Sequence, residues 1–180
     1  MSPENTQKPN NAAFIDGANL RKGADHLGWE LDYGRLRIWL REKYSVQNAY
    51  LFLGLIPKYS NLYRDLQEKG YILVFKEVVY DIDGRVKGNC DADLVVQTMR
   101  GAYEGLFDKA VLISSDGDYA GLISFLLEKE KMLAVLSPYG AGRCSILIKR
   151  TGVSIAYLSD QKNILEPAIN KKAPDADGTA

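Results

Sequence analysis

Residues 111–123, VLISSDGDYAGLI, join two different patterns of side chains. An apolar run typical of a buried strand leads to Asp116 and Asp118, and a helical pattern begins directly after them. A strand that leads at once into a helix is the repeating unit of α/β folds. The stretch therefore predicts an α/β fold with two acids at the end of a strand.

The rest of the chain repeats this alternation. Apolar segments predict strands at residues 12–15, 48–56, 71–79, 109–114, 132–137 and 154–159, and helical periodicity predicts helices at 33–44, 59–69, 91–106, 119–130 and 143–149. A loop is expected between the first strand and the first of these helices. Strands that alternate with helices imply right-handed crossovers, so we predict a three-layer α/β/α sandwich around a mainly parallel, Rossmann-like sheet.

Composition places limits on the class of protein. The chain has 180 residues, of which residues 12–160 predict one domain, while 1–11 and 161–180 have the polar composition of mostly disordered tails. Lys and Arg together number 23, as do Asp and Glu, so no bulk charge holds the molecule on a polyanion. Two cysteines and no signal-like segment indicate a cytoplasmic protein. Since no apolar run approaches the roughly 20 residues that span a bilayer, we expect no membrane partner, and a homodimer stays open.

Several aspartates fall where strands end or helices begin. Asp16 directly follows the first strand, as Asp116 and Asp118 follow the fourth. Ligands of such sheets bind beyond the carboxyl ends of the strands, near the point where strand order reverses. If the first and fourth strands are neighbours there, these acids meet. Asp91 lies on the inward stripe of the helix at 91–106, whereas Asp93 is about 200° round the helix, so Asp91 is the better candidate.

Carboxylates gathered in one pocket repel one another unless a cation neutralises them. Oxygen ligands, with a single histidine in the chain, favour Mg²⁺ or Mn²⁺ over zinc. Such an ion activates water and stabilises charge on phosphate, which favours phosphodiester chemistry with one or two metals. Each acid also has a structural interpretation, because aspartates cap helix N-termini. Asn19 either closes a turn or orients a substrate or a metal-bound water.

An acidic site needs cations nearby to hold a polyanion. Basic residues follow several predicted strands, and with Ser115 they form the predicted substrate-binding set: Arg21, Lys58, Lys87, Arg143 and Ser115. A basic rim around an acidic centre suits a phosphate backbone, and RNA is the expected partner.

Three motifs, FIDGANL, KGNCDADLVV and LISSDGDYAGLI, resemble the NYN domain family, including LabA-like proteins, within the PIN-like nuclease superfamily. The resemblance covers roughly residues 12–160. It implies a PIN-like fold and an Mg²⁺- or Mn²⁺-dependent ribonuclease site. The residues it assigns to that site are Asp16, Asn19, Asp91, Asp116 and Asp118, with Lys87 as a polar neighbour. Gln97 stands where related motifs carry a further acid, a place that Asp93 is a candidate to fill as a metal ligand.

Two functions stay open. One is a metal-dependent ribonuclease, and the other is a non-catalytic RNA-binding or regulatory module that uses the same pocket. A phosphoacceptor receiver domain fits less well, because EVVYD stands where its acceptor is expected and SPYG replaces its usual lysine. A haloacid-type phosphatase requires a second aspartate where this chain has Ala18.

Overall fold

The computed structural model describes residues 8–76, 79–80, 86–87 and 90–168, with backbone alone at 79–80 and 86–87. The strands are β1 (Asn11–Asp16), β2 (Val46–Gly54), β3 (Tyr71–Lys76), β4 (Val79–Tyr80), β5 (Val86–Lys87), β6 (Ala110–Ile113), β7 (Met132–Ser137) and β8 (Ile155–Tyr157). The α-helices are α1 (Gly17–Ala24), α2 (Tyr33–Tyr44), α3 (Ser60–Glu68), α4 (Asp91–Glu104), α5 (Ala120–Glu128), α6 (Ile146–Arg150) and α7 (Lys162–Leu165). Single turns of 3₁₀ helix cover Pro57–Tyr59, Gly117–Tyr119 and Leu158–Gln161.

Six strands form one parallel sheet in the order β3-β2-β1-β6-β7-β8. The short strands β4 and β5 pair antiparallel in a separate ribbon. From β1 the chain builds outward to β2 and β3 on one side, then returns to add β6, β7 and β8 on the other. Strand order therefore reverses between β1 and β6, where Ile15 pairs with Ile113. The predicted α/β fold and parallel sheet are confirmed.

The sheet is covered on both faces, as the alternation of side chains along β1 shows. Ala13 and Ile15 belong to a core that includes buried residues of α1, α2, α3 and α7. Ala12 and Phe14 point into a second core with residues of α4, α5 and α6. Every residue of β1 is buried, and the sequence between Asn11 and Asp16 is apolar, as expected for a strand covered on both faces. This arrangement confirms the three-layer sandwich.

The segment after β1 was predicted as a loop but is the helix α1. Its sequence, GANLRKGA, contains two glycines and so has low helix propensity. Tertiary packing explains the helix, because Leu20 is fully buried and both glycines lie against neighbouring chain. A Cβ at Gly17 would lie 2.6 Å from the carbonyl oxygen of Phe52, and one at Gly23 would lie 2.3 Å from Cβ of Pro138.

The start of the segment predicted as a C-terminal tail packs against the domain. Helix α7 lies inside the segment 161–180, and Leu165 is fully buried. Its carbonyl accepts the Asp32 N–H at 2.9 Å, and Arg35 Nη1 donates to the Glu166 carbonyl at 2.9 Å. The predicted N-terminal tail, 1–11, is too long, because Asn11 is the buried first residue of β1. Residues 1–7 and 169–180 lie outside the described residues. Across the part of the chain that the structure describes, no helix is long and apolar enough to span a membrane.

Candidate metal centre

Acidic residues stand at the carboxyl edge of the sheet where strand order reverses. Asp16 is the last residue of β1, and Asp116 and Asp118 follow the adjacent strand β6. Asp91 is the first residue of α4, which packs beside β1. The fold thus brings acids separated by about a hundred positions to one place, which we call the acidic cup: Asp16, Asp91, Asp116 and Asp118.

Three acids of the cup are close enough to share an ion. Asp91, Asp116 and Asp118 each have a carboxylate oxygen, and these oxygens all lie within 4.8 Å of one another. Asp91 and Asp116 are half-buried, whereas Asp118 is exposed. A set of carboxylate oxygens with one solvent-facing member suits a hard cation that keeps some of its water. The donors present therefore fit Mg²⁺ or Mn²⁺.

Asp16 forms the floor of the cup and is 8% exposed. Its Oδ1 accepts the Asn19 N–H at 2.9 Å, and Ser114 Oγ donates to its Oδ2 at 3.4 Å. Ser114 Oγ also accepts the Asp116 N–H at 3.1 Å, so one hydroxyl links the ends of β1 and β6. These contacts place Asp16 beside Asp116.

Capping accounts for part of what these acids do. Asp16 caps α1 through Asn19, and Asp116 Oδ1 accepts the Asp118 N–H at 3.1 Å at the start of the next helical turn. A carboxylate has two oxygens with about four lone-pair sites, so a cap leaves capacity for a cation. The structural and metal-binding interpretations are compatible at both positions.

The cup has a strongly negative field. Burial is the main cause that raises the pKa of the Asp16 carboxyl above its ordinary value, and the charges of Asp91 and Asp116 raise it further. Burial also raises the pKa of the Cys90 thiol to about 11, with additional contributions from the surrounding aspartates. Both shifts indicate that further negative charge is unfavourable in the cup. A bound dication would offset this repulsion.

The buried side chain of Tyr119 contacts two acids of the cup. The residue is 1% exposed, and its hydroxyl donates to Asp91 Oδ1 at 2.6 Å and lies 3.4 Å from Asp16 Oδ2. Burial, and then the charge of Asp16, raise the pKa of this phenol, so that it stays a neutral hydrogen-bond donor.

A family profile gives the identity of the domain. The profile of the NYN domain matches residues 10–154, which is most of the chain. The chain belongs to the NYN domain family. No curated protein sequence matches it.

Two solved structures resemble this NYN domain. The crystal structure of VPA0982, a protein of unknown function from Vibrio parahaemolyticus, is 19% identical, with a TM-score of 0.70, over 88% of this chain and 96% of that one. At this identity the likeness concerns the fold. A mutant of the T5 5′-exonuclease is 16% identical, with a TM-score of 0.37, over 71% of this chain and 50% of the other.

The basic residues predicted to bind substrate occupy different places on the NYN domain. Lys58 follows β2, the neighbour of β1, and its ammonium lies 5.0 Å from the ring centre of Tyr59. Arg143 is exposed in the segment after β7, where the nearby Ser145 N–H donates to the Ser115 carbonyl at 3.1 Å. Both therefore border the edge that carries the cup. The side chain of Lys87 lies outside the described residues.

Arg21 does not join this rim. It lines a separate cavity of about 770 Å³ together with Trp29, Asp32, Tyr33 and Lys69, and the four acids of the cup are absent from the described lining. Arg21 stands on the second turn of α1, which leads away from the strand end. The chemistry of its carboxylates, and not the size of a cavity, marks the cup as a site.

Asp93 and Ser115 are also directed elsewhere. Asp93 Oδ2 pairs with Lys76 Nζ at 2.7 Å, and both residues line a groove beside β3 that also contains Gln97. The structure therefore does not place Asp93 with the three acids that share a cation-sized space. The Ser115 hydroxyl lies 2.8 Å from Ser137 Oγ; since Ser137 donates its own hydrogen to the Tyr139 carbonyl, Ser115 is the donor.

Asn19 supports the cup from the side. Its Oδ1 accepts the Ser115 N–H at 3.0 Å, which ties the first turn of α1 to the end of β6. Ser114 and Tyr119, by contrast, were not assigned to the metal site from the sequence. A serine or tyrosine next to a buried strand is typical of core packing, and only the positions of Asp16 and Asp91 in space show what their hydroxyls contact.

Proposed function

We propose that this NYN domain is a metal-dependent ribonuclease that hydrolyses phosphodiester bonds of RNA. The observation that supports it most directly is that one carboxylate oxygen from each of Asp91, Asp116 and Asp118 lies within 4.8 Å of the other two. A stability role alone does not require three acids at this spacing, because like charges in proximity destabilise the folded state. A metal-binding role at the point where strand order reverses explains the arrangement better.

The residues divide into distinct roles. Asp91, Asp116 and Asp118 would hold Mg²⁺ or Mn²⁺, and Asp16 adds negative charge from the floor of the cup. A bound ion supplies Lewis acidity at the phosphate and lowers the pKa of a coordinated water. Asn19 and Ser114 hold the two strand ends in register through their hydrogen bonds.

Substrate binding requires local cations, because the chain has no net charge. Lys58 and Arg143 follow β2 and β7 at the edge of the sheet that carries the cup, and we assign to them contacts with phosphates on either side of the scissile bond. The cysteines of this chain, Cys90 and Cys144, are free thiols. Free thiols support a reducing, cytoplasmic location, where RNA is abundant.

Cleavage of labelled single-stranded and structured RNAs with Mn²⁺, and with EDTA in its place, tests the proposal. We expect cleavage by the wild type with Mn²⁺, none with EDTA, and none by Asp116→Asn, whose RNA binding persists. Asp108→Asn is the matched control, because Asp108 is an exposed acid that precedes β6 at the opposite edge of the sheet. It should cleave like the wild type.

A wild type that binds RNA but cleaves none of these substrates in Mn²⁺ or Mg²⁺ contradicts the ribonuclease proposal. That outcome assigns the same cup to a non-catalytic RNA-binding or regulatory module. Equal cleavage by Asp116→Asn and the wild type contradicts both the proposed role of the cup and a role for its metal.

A further inference from the structure

We infer that Tyr119 is a positioning residue that holds the Asp91 carboxylate in its metal-binding arrangement. This inference rests on the metal-binding part of the proposed function. Asp91 and the pair Asp116 and Asp118 belong to different elements, α4 and the turn after β6. Tyr119, in the same turn as Asp118, reaches across to Asp91 and so connects the two elements directly.

The geometry identifies Asp91 as the acceptor. A tyrosine hydroxyl has one hydrogen to donate. Its oxygen lies 2.6 Å from Asp91 Oδ1 and 3.4 Å from Asp16 Oδ2, so the hydrogen is directed to Asp91. The short distance is that of a hydrogen bond from a hydroxyl to a charged carboxylate, a strong and directional class.

The ring of Tyr119 is fixed before any ligand arrives. It is 1% exposed and lies in the core with Phe14, Leu94 and Leu122. A buried ring has few rotamers available, so its hydroxyl stands at a defined point below the cup. Groups that bond to the ligands of a metal orient them, and their loss typically lowers metal affinity about 10- to 100-fold.

Tyr119→Phe removes the hydroxyl and keeps the ring, so it is the direct test. Tyr71→Phe is the matched control: Tyr71 is 3% exposed, and its hydroxyl donates one hydrogen bond, to the Tyr33 carbonyl at 2.8 Å. Mn²⁺ affinity of the full chain is measured from the electron paramagnetic resonance signal of free Mn²⁺. We expect affinity about 10- to 100-fold weaker in Tyr119→Phe and unchanged in Tyr71→Phe.

A double-mutant cycle separates positioning from general stability. If Tyr119 acts through Asp91, Tyr119→Phe should add no further loss of Mn²⁺ affinity in the Asp91→Ala background, where the acceptor oxygen is absent. The spectrum of bound Mn²⁺ should also change in Tyr119→Phe, because the ligand field at the ion changes. Equal affinity and equal spectra for Tyr119→Phe and the wild type overturn the inference.

A measurement on the wild type keeps the inference testable if Tyr119→Phe fails to fold. With ¹³C-labelled tyrosine, the phenol carbon of Tyr119 should shift when Mg²⁺ binds, and that of Tyr71 should not. No shift at Tyr119 contradicts the inference. A wild type whose Mn²⁺ affinity depends on the Tyr119 hydroxyl but that cleaves no RNA refutes only the ribonuclease proposal, whereas a wild type that binds no Mn²⁺ refutes both.

Discussion

The side-chain oxygen of Asn19 accepts a hydrogen bond from the backbone N–H of Ser115 at 3.0 Å. The two residues are 96 positions apart in sequence, and they lie in the segments that directly follow the two central strands. The backbone N–H of Asn19 in turn donates to Asp16 at 2.9 Å. One residue therefore connects the floor of the acidic cup with the loop that carries Asp116.

Asn19→Ala should reduce both stability and activity. The substitution leaves the N–H of the buried Ser115 without its acceptor, which costs about 1–3 kcal/mol in the free energy of unfolding. The loop that carries Asp116 is then no longer held in a fixed position relative to Asp16, so cleavage should decrease as well. Urea unfolding and RNA cleavage measure the two effects. Asn61→Ala, at an exposed position on α3, is the control, and a loss no larger than in that control contradicts the assigned role.

Asp16→Asn should stabilise the metal-free protein relative to the wild type at neutral pH. Because the pKa of Asp16 is raised in the folded state, the stability from its protonated form is fully present below the ordinary pKa and is lost as pH rises through the folded-state pKa. Asparagine does not ionise, so it has no such loss of stability with pH. Its side-chain oxygen can still accept the hydrogen bond from the Asn19 N–H. The difference in unfolding free energy, measured in EDTA, should grow from acidic to neutral pH.

Added Mn²⁺ should reduce this difference, because it stabilises the wild type, whose extra negative charge favours the ion, more than it stabilises Asp16→Asn. Asp108→Asn, at the opposite edge of the sheet, serves as the control for a general change of charge. A difference between Asp16→Asn and the wild type that is constant across pH shows that burial of Asp16 does not penalise its charge.

Asp93→Asn should have far less effect on Mn²⁺ affinity than Asp91→Asn. Asp93 is paired with Lys76, and since their side chains are 45% and 39% exposed, losing this solvent-screened pair should have little effect on stability. Asp91 contributes directly to the group of three acids, so its neutralisation should weaken Mn²⁺ binding strongly while leaving an affinity that can be measured. Calorimetric titration compares the two variants. Equal losses would show that the pair with Lys76 opens and that Asp93 joins the metal site.

Lys58→Gln and Arg143→Gln should each weaken RNA binding and lower the slope of log affinity against log salt by about 1. The physical reason is the loss of one phosphate contact and its released counterions. Arg21→Gln is a matched control, because Arg21 lines a separate cavity. Binding isotherms at several salt concentrations measure the slopes. If Arg21→Gln weakens RNA binding as much as Arg143→Gln does, the assignment of Arg143 and not Arg21 to the substrate-binding rim is wrong.

The sequence was sufficient to predict those parts of the structure that follow from the periodicity of apolar residues. Apolar strands that end in aspartates predicted that Asp16 and Asp116 share an edge, and helical phase distinguished Asp91 from Asp93. It missed α1, because the packing of Gly17 against β2 stabilises a helix that its residues favour weakly. The partner of Asp93 depends on where β3 lies in the folded chain, which local patterns do not contain.

Hydroxyl groups were the least predictable part of the site. Ser115 was expected to bind substrate, but its hydroxyl lies in a network with Ser137. Tyr119 has the pattern of a core residue, and its ring is indeed buried. The direction of a single O–H bond decides its contact with Asp91, and that direction follows from the packing of the whole ring.

The most direct test of the metal centre is anomalous diffraction from a crystal of the wild type soaked in Mn²⁺. We expect a peak in contact with the carboxylates of Asp91, Asp116 and Asp118, beside Asp16, and no such peak in an Asp116→Asn crystal. A wild-type crystal with the cup accessible to solvent, and with Mn²⁺ bound elsewhere or nowhere, would contradict it.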